Sequence, residues 1–164
     1  MSRPERGRLR HPTYDYRTAG AYFVTFVTHD RLCIFDDPVL KRVAETYWER
    51  IPLHSEFVTL DEWVVMPNHI HAILWILHHL GNSPVPQTDA QTSGPASGSV
   101  SAIVGAYKAV TARRINQIRK SPDASVWQRS FHDRIIRNDR ELAAIRQYIQ
   151  DNPRNWAADR ENLS

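Results

Sequence analysis

The chain predicts an α+β fold, a ferredoxin-like split βαβ sandwich. In it an antiparallel sheet carries two helices on one face, and a C-terminal helix is added. Three observations point there. Aromatic and β-branched runs with strand-like alternation occur near residues 21–28, 57–66 and 70–77. Apolar residues recur at helical spacing after Pro38 and again after Ser101. A polar, Gly/Ser/Pro-rich stretch separates the two halves, so the order reads β-α-β-β-linker-α-β-α. At 164 residues the chain suits one hydrophobic core.

Each element has a local reason. AYFVTFVT (21–28) places Tyr22, Val24 and Phe26 on one strand face and Phe23, Thr25 and Val27 on the other. Asp36-Asp37-Pro38 is a helix start, with an Asp cap and Pro in the first turn. Val39, Leu40, Val43, Ala44, Tyr47 and Trp48 then mark an amphipathic helix over 38–50. FVTLDEWVVM (57–66) and the run 70–77 read as antiparallel strands joined tightly at Pro67-Asn68. Residues 81–99 have the composition of a flexible internal loop. Ser101 opens a second helix carrying Ile103, Val104, Tyr107, Val110, Ile115 and Ile118, with Pro122 beyond its end. Residues 126–138 read as a turn and short strand. Asn138 or Asp139 caps a last helix from Arg140 to about Asp151, stopped by Pro153. Residues 1–18 form a basic flexible N-terminal arm, 19–156 a single domain and 157–164 a polar tail.

Composition narrows the function classes. Hydrophobic residues make up 41% and charged residues 24%, a globular balance. The one cysteine, Cys33, forms no internal disulfide and leaves no cysteine cluster for zinc. No apolar segment is long enough to span a bilayer and no signal-peptide core follows Met1, so a cytoplasmic protein with no membrane partner is expected. The net charge is +3, yet residues 101–140 alone carry nine basic groups against three acids, so the remainder is slightly acidic. Lys108, Arg113, Arg114, Arg129, Arg134 and Arg137, with His132 and the interleaved Trp127 and Phe131, suit a nucleic-acid strand: cations pair phosphates and rings stack on bases. A solvated helix face with core aromatics fits the same pattern.

The chemistry centres on Pro67-Asn68-His69-Ile70-His71. Alternation turns His69 and His71 to one strand face and Ile70 to the other, so two imidazoles stand side by side where one divalent metal could use both. Two half-buried histidines without a metal are the plainer reading of H-x-H alone. On the last helix Tyr148 and Asn152 are spaced i, i+4 and share a face. A phenol can form a covalent intermediate, and an amide oxygen suits Mg²⁺ or Mn²⁺ beside imidazoles. Taken singly, a packing tyrosine and a C-terminal helix cap are the better explanations. Asp61 and Glu62 could approach the metal from the neighbouring strand, although a surface position suits them better. His78 and His79 end their strand.

Together these pieces resemble a known pattern. AYFVTFVTHDR (21–31), WVVMPNHIHAILWI (63–76), WQRSFHDRIIRN (127–138) and YIQDNP (148–153) are similar to the single-tyrosine HUH transposases of the IS200-like group, in their REP-associated tyrosine transposase branch. The insertion-sequence members usually carry Gln where Asn152 stands. The resemblance implies His69 and His71 as metal ligands, Asn152 as third ligand, Tyr148 as nucleophile and Mg²⁺ or Mn²⁺ as cofactor. It implies metal-dependent cleavage and rejoining of single-stranded DNA beside hairpin, REP-like elements, through a 5′-phosphotyrosine link and a free 3′-OH, in a monomer or homodimer near the nucleoid. Both histidines must be neutral to bind metal, so activity is expected to fall below pH of about 6.5. The alternatives are an HUH replication initiator or relaxase-type nickase, and a non-catalytic nucleic-acid-binding module. Small size and a single late tyrosine favour the transposase reading over the nickases.

Overall fold

Strand alternation builds a two-sided sheet, and the two sides take different helices. The computed structural model describes residues 19–77 and 99–159. The strands are β1 (Gly20–Val27), β2 (Val58–Met66), β3 (His69–Ile76) and β4 (His132–Ile136). They form one sheet in the order β2-β3-β1-β4, and every neighbouring pair is antiparallel. α1 (Pro38–Glu49) and a single-turn α2 (Ile51–His54) lie between β1 and β2 in sequence, α3 (Val100–Arg119) lies between β3 and β4, and α4 (Asp139–Asp151) follows β4. The predicted α+β sandwich with an added C-terminal helix is the observed architecture. The expected basic arm at 1–18, His78 and His79, the 81–99 loop except Ser99, and the 157–164 tail beyond Asp159 fall outside the described residues.

The main core fills one face. Tyr22, Val24 and Phe26 of β1 and Ile70, Ala72, Leu74 and Ile76 of β3 pack with Leu40, Ala44 and Trp48 of α1 and Val100, Val104, Tyr107 and Ile115 of α3. Each fully buried aliphatic or aromatic side chain contributes about 1.5–3 kcal/mol. The buried phenol of Tyr107 donates to the Ala44 carbonyl at 2.8 Å, so its polar tip is satisfied. On the other face Ala21 and Ile73 meet Leu142, Ile145 and Ile149 of α4, with Phe23, Val64 and Trp75 at the edge. α4 therefore covers the face that carries the odd-numbered residues of β1 and β3.

Caps set the helix limits. The Asp37 carboxylate accepts from the Val39 N–H at 2.8 Å and the Asn138 side chain from the Glu141 N–H at 2.8 Å. Ser99, expected within the loop, instead caps α3 by accepting from the Ala102 N–H. Within 126–138, the expected turn and short strand take the form of β4 over His132–Ile136, preceded by Trp127, which turns into the core and meets Thr28 in an isolated bridge. Two local features depart from the sequence reading. Arg50 caps the extra α2, whose first turn holds Pro52. β2 carries a bulge between Leu60 and Trp63, where three steps along β2 match two along β3.

Candidate active site

β3 begins at the corner where Pro67 and Asn68 turn the chain back from Met66 to His69. In the register of the sheet Val27 lies opposite His69 and Thr25 opposite His71 on the β1 side. Both imidazoles point to the α4 face; His69 is fully buried and His71 is 5% exposed. Their rings sit edge to face with centroids 4.5 Å apart. Phe23 stacks on His71 at 5.6 Å and Trp156 lies over His69 at 5.9 Å, which fixes both rings against apolar walls.

Polar contacts fix the same rings from behind. Asn68 Oδ1 lies 2.8 Å from His69 Nδ1, and Thr25 Oγ1 lies 2.7 Å from His71 Nδ1. The two Nε2 atoms are thereby turned the other way, that of His71 toward Tyr148 and that of His69 toward Asp159. After α4 the chain turns through residues 152–155 into a short 3-10 turn, Trp156–Ala158, which returns it to β3. The return places Asp159 Oδ2 3.5 Å from His69 Nε2. Ligand atoms of His69, His71 and Asp159 all lie within 4.8 Å of one another.

Tyr148 and Asn152 line the same cleft, one turn apart on α4. The Tyr148 hydroxyl is 3.4 Å from His71 Nε2 of its own chain, and its ring meets Phe23 and His71 edge-on. Tyr148 is 49% exposed, so a substrate can reach it, whereas Asn152 is 2% exposed. Asn152 Oδ1 is buried and accepts no hydrogen bond from the described residues. A buried amide oxygen without a donor costs about 1–3 kcal/mol. Such an oxygen, with two imidazole nitrogens and a carboxylate at hand, fits a divalent cation of the Mg²⁺ or Mn²⁺ kind.

The cleft measures about 600 Å³ and is also lined by Thr25, His132, Arg134 and Asn155. His132 and Arg134 face α4 because they pair with Thr25 and Phe23 of β1. Arg134 pairs with Glu141 at 3.0 Å while remaining mostly exposed. Exposed Arg129 and Arg137 flank β4. The other basic candidates are placed elsewhere. Lys108 Nζ donates to the Gln128 and Ser130 carbonyls at 2.8 and 3.1 Å, and burial pulls its pKa down to about 8. That ammonium ties α3 to the segment before β4. Arg113 and Arg114 lie on α3, across the sheet from the histidines, with Arg114 in a groove against α1.

Asp61 and Glu62 do not approach the histidines. The bulge turns both toward α4, where Asp61 accepts two hydrogen bonds from Arg146, at 2.8 and 2.6 Å, and a third from the Trp75 indole at 2.9 Å. The Arg146 bonds hold the Asp61 carboxyl down to a pKa of about 2. Glu62 accepts from Gln150 at 3.1 Å. Sequence reasoning did not single out Asp159, Thr25 or Trp156. The alternation of β1 already turned Thr25 to the Phe23 face, but only the strand register sets it opposite His71. Nothing in the pattern around Asp159 announces a return to β3.

Comparison with known proteins follows the same lines. Residues 92–152 match the model of a family described as transposase, IS200 like. An uncharacterized protein of Haemophilus influenzae is 32% identical over 162 residues, spanning 93% of this chain and 89% of that protein. A second H. influenzae protein, named as a candidate REP-associated tyrosine transposase, is 25% identical over 140 residues, 85% of this chain and 73% of that protein. The solved structure of a REP-associated tyrosine transposase bound to a REP hairpin superposes with a TM-score of 0.64 at 16% identity, covering 90% of this chain and 74% of that one. A candidate transposase from Deinococcus radiodurans superposes at 0.50 with 20% identity, over 87% and 95% of the two chains. At those identities the two structures share the fold.

Proposed function

Because the chain belongs to the IS200-like transposases, we propose that it cleaves and rejoins single-stranded DNA beside hairpin, REP-like elements, with Tyr148 as nucleophile. One observation carries this reading: the Tyr148 hydroxyl stands 3.4 Å from His71 Nε2 in a cleft that Asn152 and Asp159 also line, with the buried His69 ring directly behind His71. A nucleophile beside a ready-made cation site is the arrangement that phosphodiester transfer needs.

His69, His71 and Asn152 would hold the cation, with the Asp159 carboxylate, whose oxygen groups with the two imidazoles, close enough to join them. When bound, a divalent ion supplies Lewis-acid polarisation of a phosphoryl oxygen. The protein's own groups do the rest. A free phenol has a pKa near 10, so little phenolate exists at neutral pH and positioning must compensate. Tyr148, braced edge-on by Phe23, presents its oxygen to the scissile phosphorus. The tyrosine O–P bond forms and the P–O3′ bond breaks. The phenol proton passes to solvent, and the released 3′ oxygen takes up a proton. Attack by that 3′-OH, or by another, on the 5′-phosphotyrosine reverses the step, because no phosphoester bond is lost overall. His132 and Arg134 in the cleft, with Arg129 and Arg137 beside it, guide the phosphate backbone. Lys108 serves stability instead, and Arg113 and Arg114 meet only DNA that passes around to the α1–α3 side. The nucleoid is the expected location of a protein with this substrate.

The test is covalent capture. Wild-type protein incubated with Mn²⁺ and a hairpin-bearing single strand should give an adduct that survives denaturing electrophoresis. The adduct should vanish in Tyr148→Phe and in excess EDTA. An adduct that persists in Tyr148→Phe removes Tyr148 from the chemistry, and one that persists in EDTA removes the metal.

A further inference from the structure

We infer that Asn68 is a positioning residue that locks His69 in the tautomer able to bind a cation. Asn68 lies at the second position of the β2–β3 turn and is 1% exposed. Its amide nitrogen donates to the Arg31 carbonyl at 3.2 Å. That bond decides which way the amide points, so the oxygen is the end that faces His69. Asn68 Oδ1, 2.8 Å from His69 Nδ1, accepts hydrogen bonds and cannot donate one. His69 therefore carries a proton on Nδ1, and Nε2 is the ring nitrogen turned toward Asp159, where a cation would take its lone pair.

The rest of the loop keeps Asn68 in place. Asp30 and Arg31 both adopt left-handed backbone conformations, φ 54° and 55°, uncommon for residues other than glycine. This conformation occurs at the carbonyl that receives the Asn68 amide. The Asn68 backbone carbonyl in turn accepts from the Thr28 N–H at 2.9 Å and from the Thr28 hydroxyl at 3.1 Å. Two bonds from Thr28 thus fix the Asn68 backbone and one to Arg31 fixes its amide nitrogen, leaving the amide oxygen to meet a candidate metal ligand. An asparagine needed only for the turn would not require its side chain held between a carbonyl and an imidazole.

The inference rests on the metal site proposed above, but its main readout does not depend on cleavage. Histidine ring ¹⁵N–¹H correlation spectra of the full, metal-free chain report which nitrogen bears the proton. In the wild type His69 should be protonated on Nδ1. In Asn68→Ala a substantial share should move to Nε2, and Mn²⁺ titrated alone should bind ten- to a hundredfold more weakly, the usual loss when a ligand's supporting hydrogen bond is removed. Asn68→Asp, which keeps an acceptor toward Nδ1, should retain the wild-type tautomer. A wild-type His69 with its proton on Nε2 overturns the inference, whatever the variants do. So does an Asn68→Ala protein that folds and keeps both tautomer and affinity. If wild-type protein binds no Mn²⁺ while the tautomer still responds to Asn68, the metal site falls and the lock stands.

Discussion

Asn152 and Asp159 are the residues on which the proposed cation site turns, and they differ in charge. A hard divalent ion gains more from a carboxylate than from an amide, and Asp159 is held against His69 by the return of the chain after α4. Asp159→Ala should weaken Mn²⁺ binding at least tenfold, and Asn152→Ala should also weaken it, by a smaller factor. Calorimetric titration of both variants checks this; unchanged affinity in the two would remove the cation from this cleft. Lys108 illustrates the opposite case, a basic residue in a basic stretch whose charge is used internally. Lys108→Met keeps the apolar stem but strips the donor from two carbonyls, and should lower stability by about 1–3 kcal/mol. Single-strand affinity of the folded variant should match the wild type, whereas Arg134→Ala, in the cleft, should bind the strand more weakly. Urea unfolding and fluorescence anisotropy separate the two effects.

At the scale of elements, α4 positions Tyr148, the proposed nucleophile, and the β2 bulge sets α4. Leu142, Ile145 and Ile149 supply the apolar contact, but apolar contact alone allows a helix to slide. Asp61 with Arg146 and Glu62 with Gln150 fix the register from the bulged strand. Asp61 has its pKa lowered to about 2 from an ordinary 3.8. A carboxylate depressed in the folded state contributes stability that is complete above the unfolded value and is lost as pH falls through the folded one. Wild-type protein should therefore lose stability between about pH 4 and pH 2, with Trp75 fluorescence reporting it, since the Trp75 indole bonds to the same carboxylate. Asp61→Asn should flatten that limb and cost about 1–3 kcal/mol at neutral pH. An unaltered limb in the variant would show that the ion pair does not hold the helix.

Across the whole molecule, the proposed nucleophile and a proposed metal ligand meet within one chain, Tyr148 of α4 lying against His71 of β3. Mixing Tyr148→Phe protein with His71→Ala protein should consequently give no covalent adduct, because neither chain holds both groups. Restoration of the adduct on mixing would mean that α4 is exchanged between chains during the reaction. Among the described residues, no helix is long and apolar enough to cross a membrane. The two sheet faces divide the labour, one closed by α1 and α3 over the main core, the other opened beside α4 as the cleft.

Much of this was legible in the chain itself. Period-two alternation is a local property, so it turned His69 and His71 to one face and opposed them to Ile70 without knowledge of any partner strand. Helical periodicity likewise put Tyr148 and Asn152 on one face, and Asp37 and Asn138 marked their helix starts by short-range hydrogen bonding. What the tertiary structure alone decided are pairings across long separations. Thr25 meets His71, Asp61 meets Arg146, and Asp159 returns to His69 through contacts 46, 85 and 90 positions apart in the chain. Neither propensity nor spacing encodes them, because each depends on strand register, a bulge or a reversal that only the packed core selects. Lys108 belongs with these: its charge is visible in the sequence, but whether that charge meets a phosphate or two carbonyls is settled only when α3 packs beside the segment leading to β4.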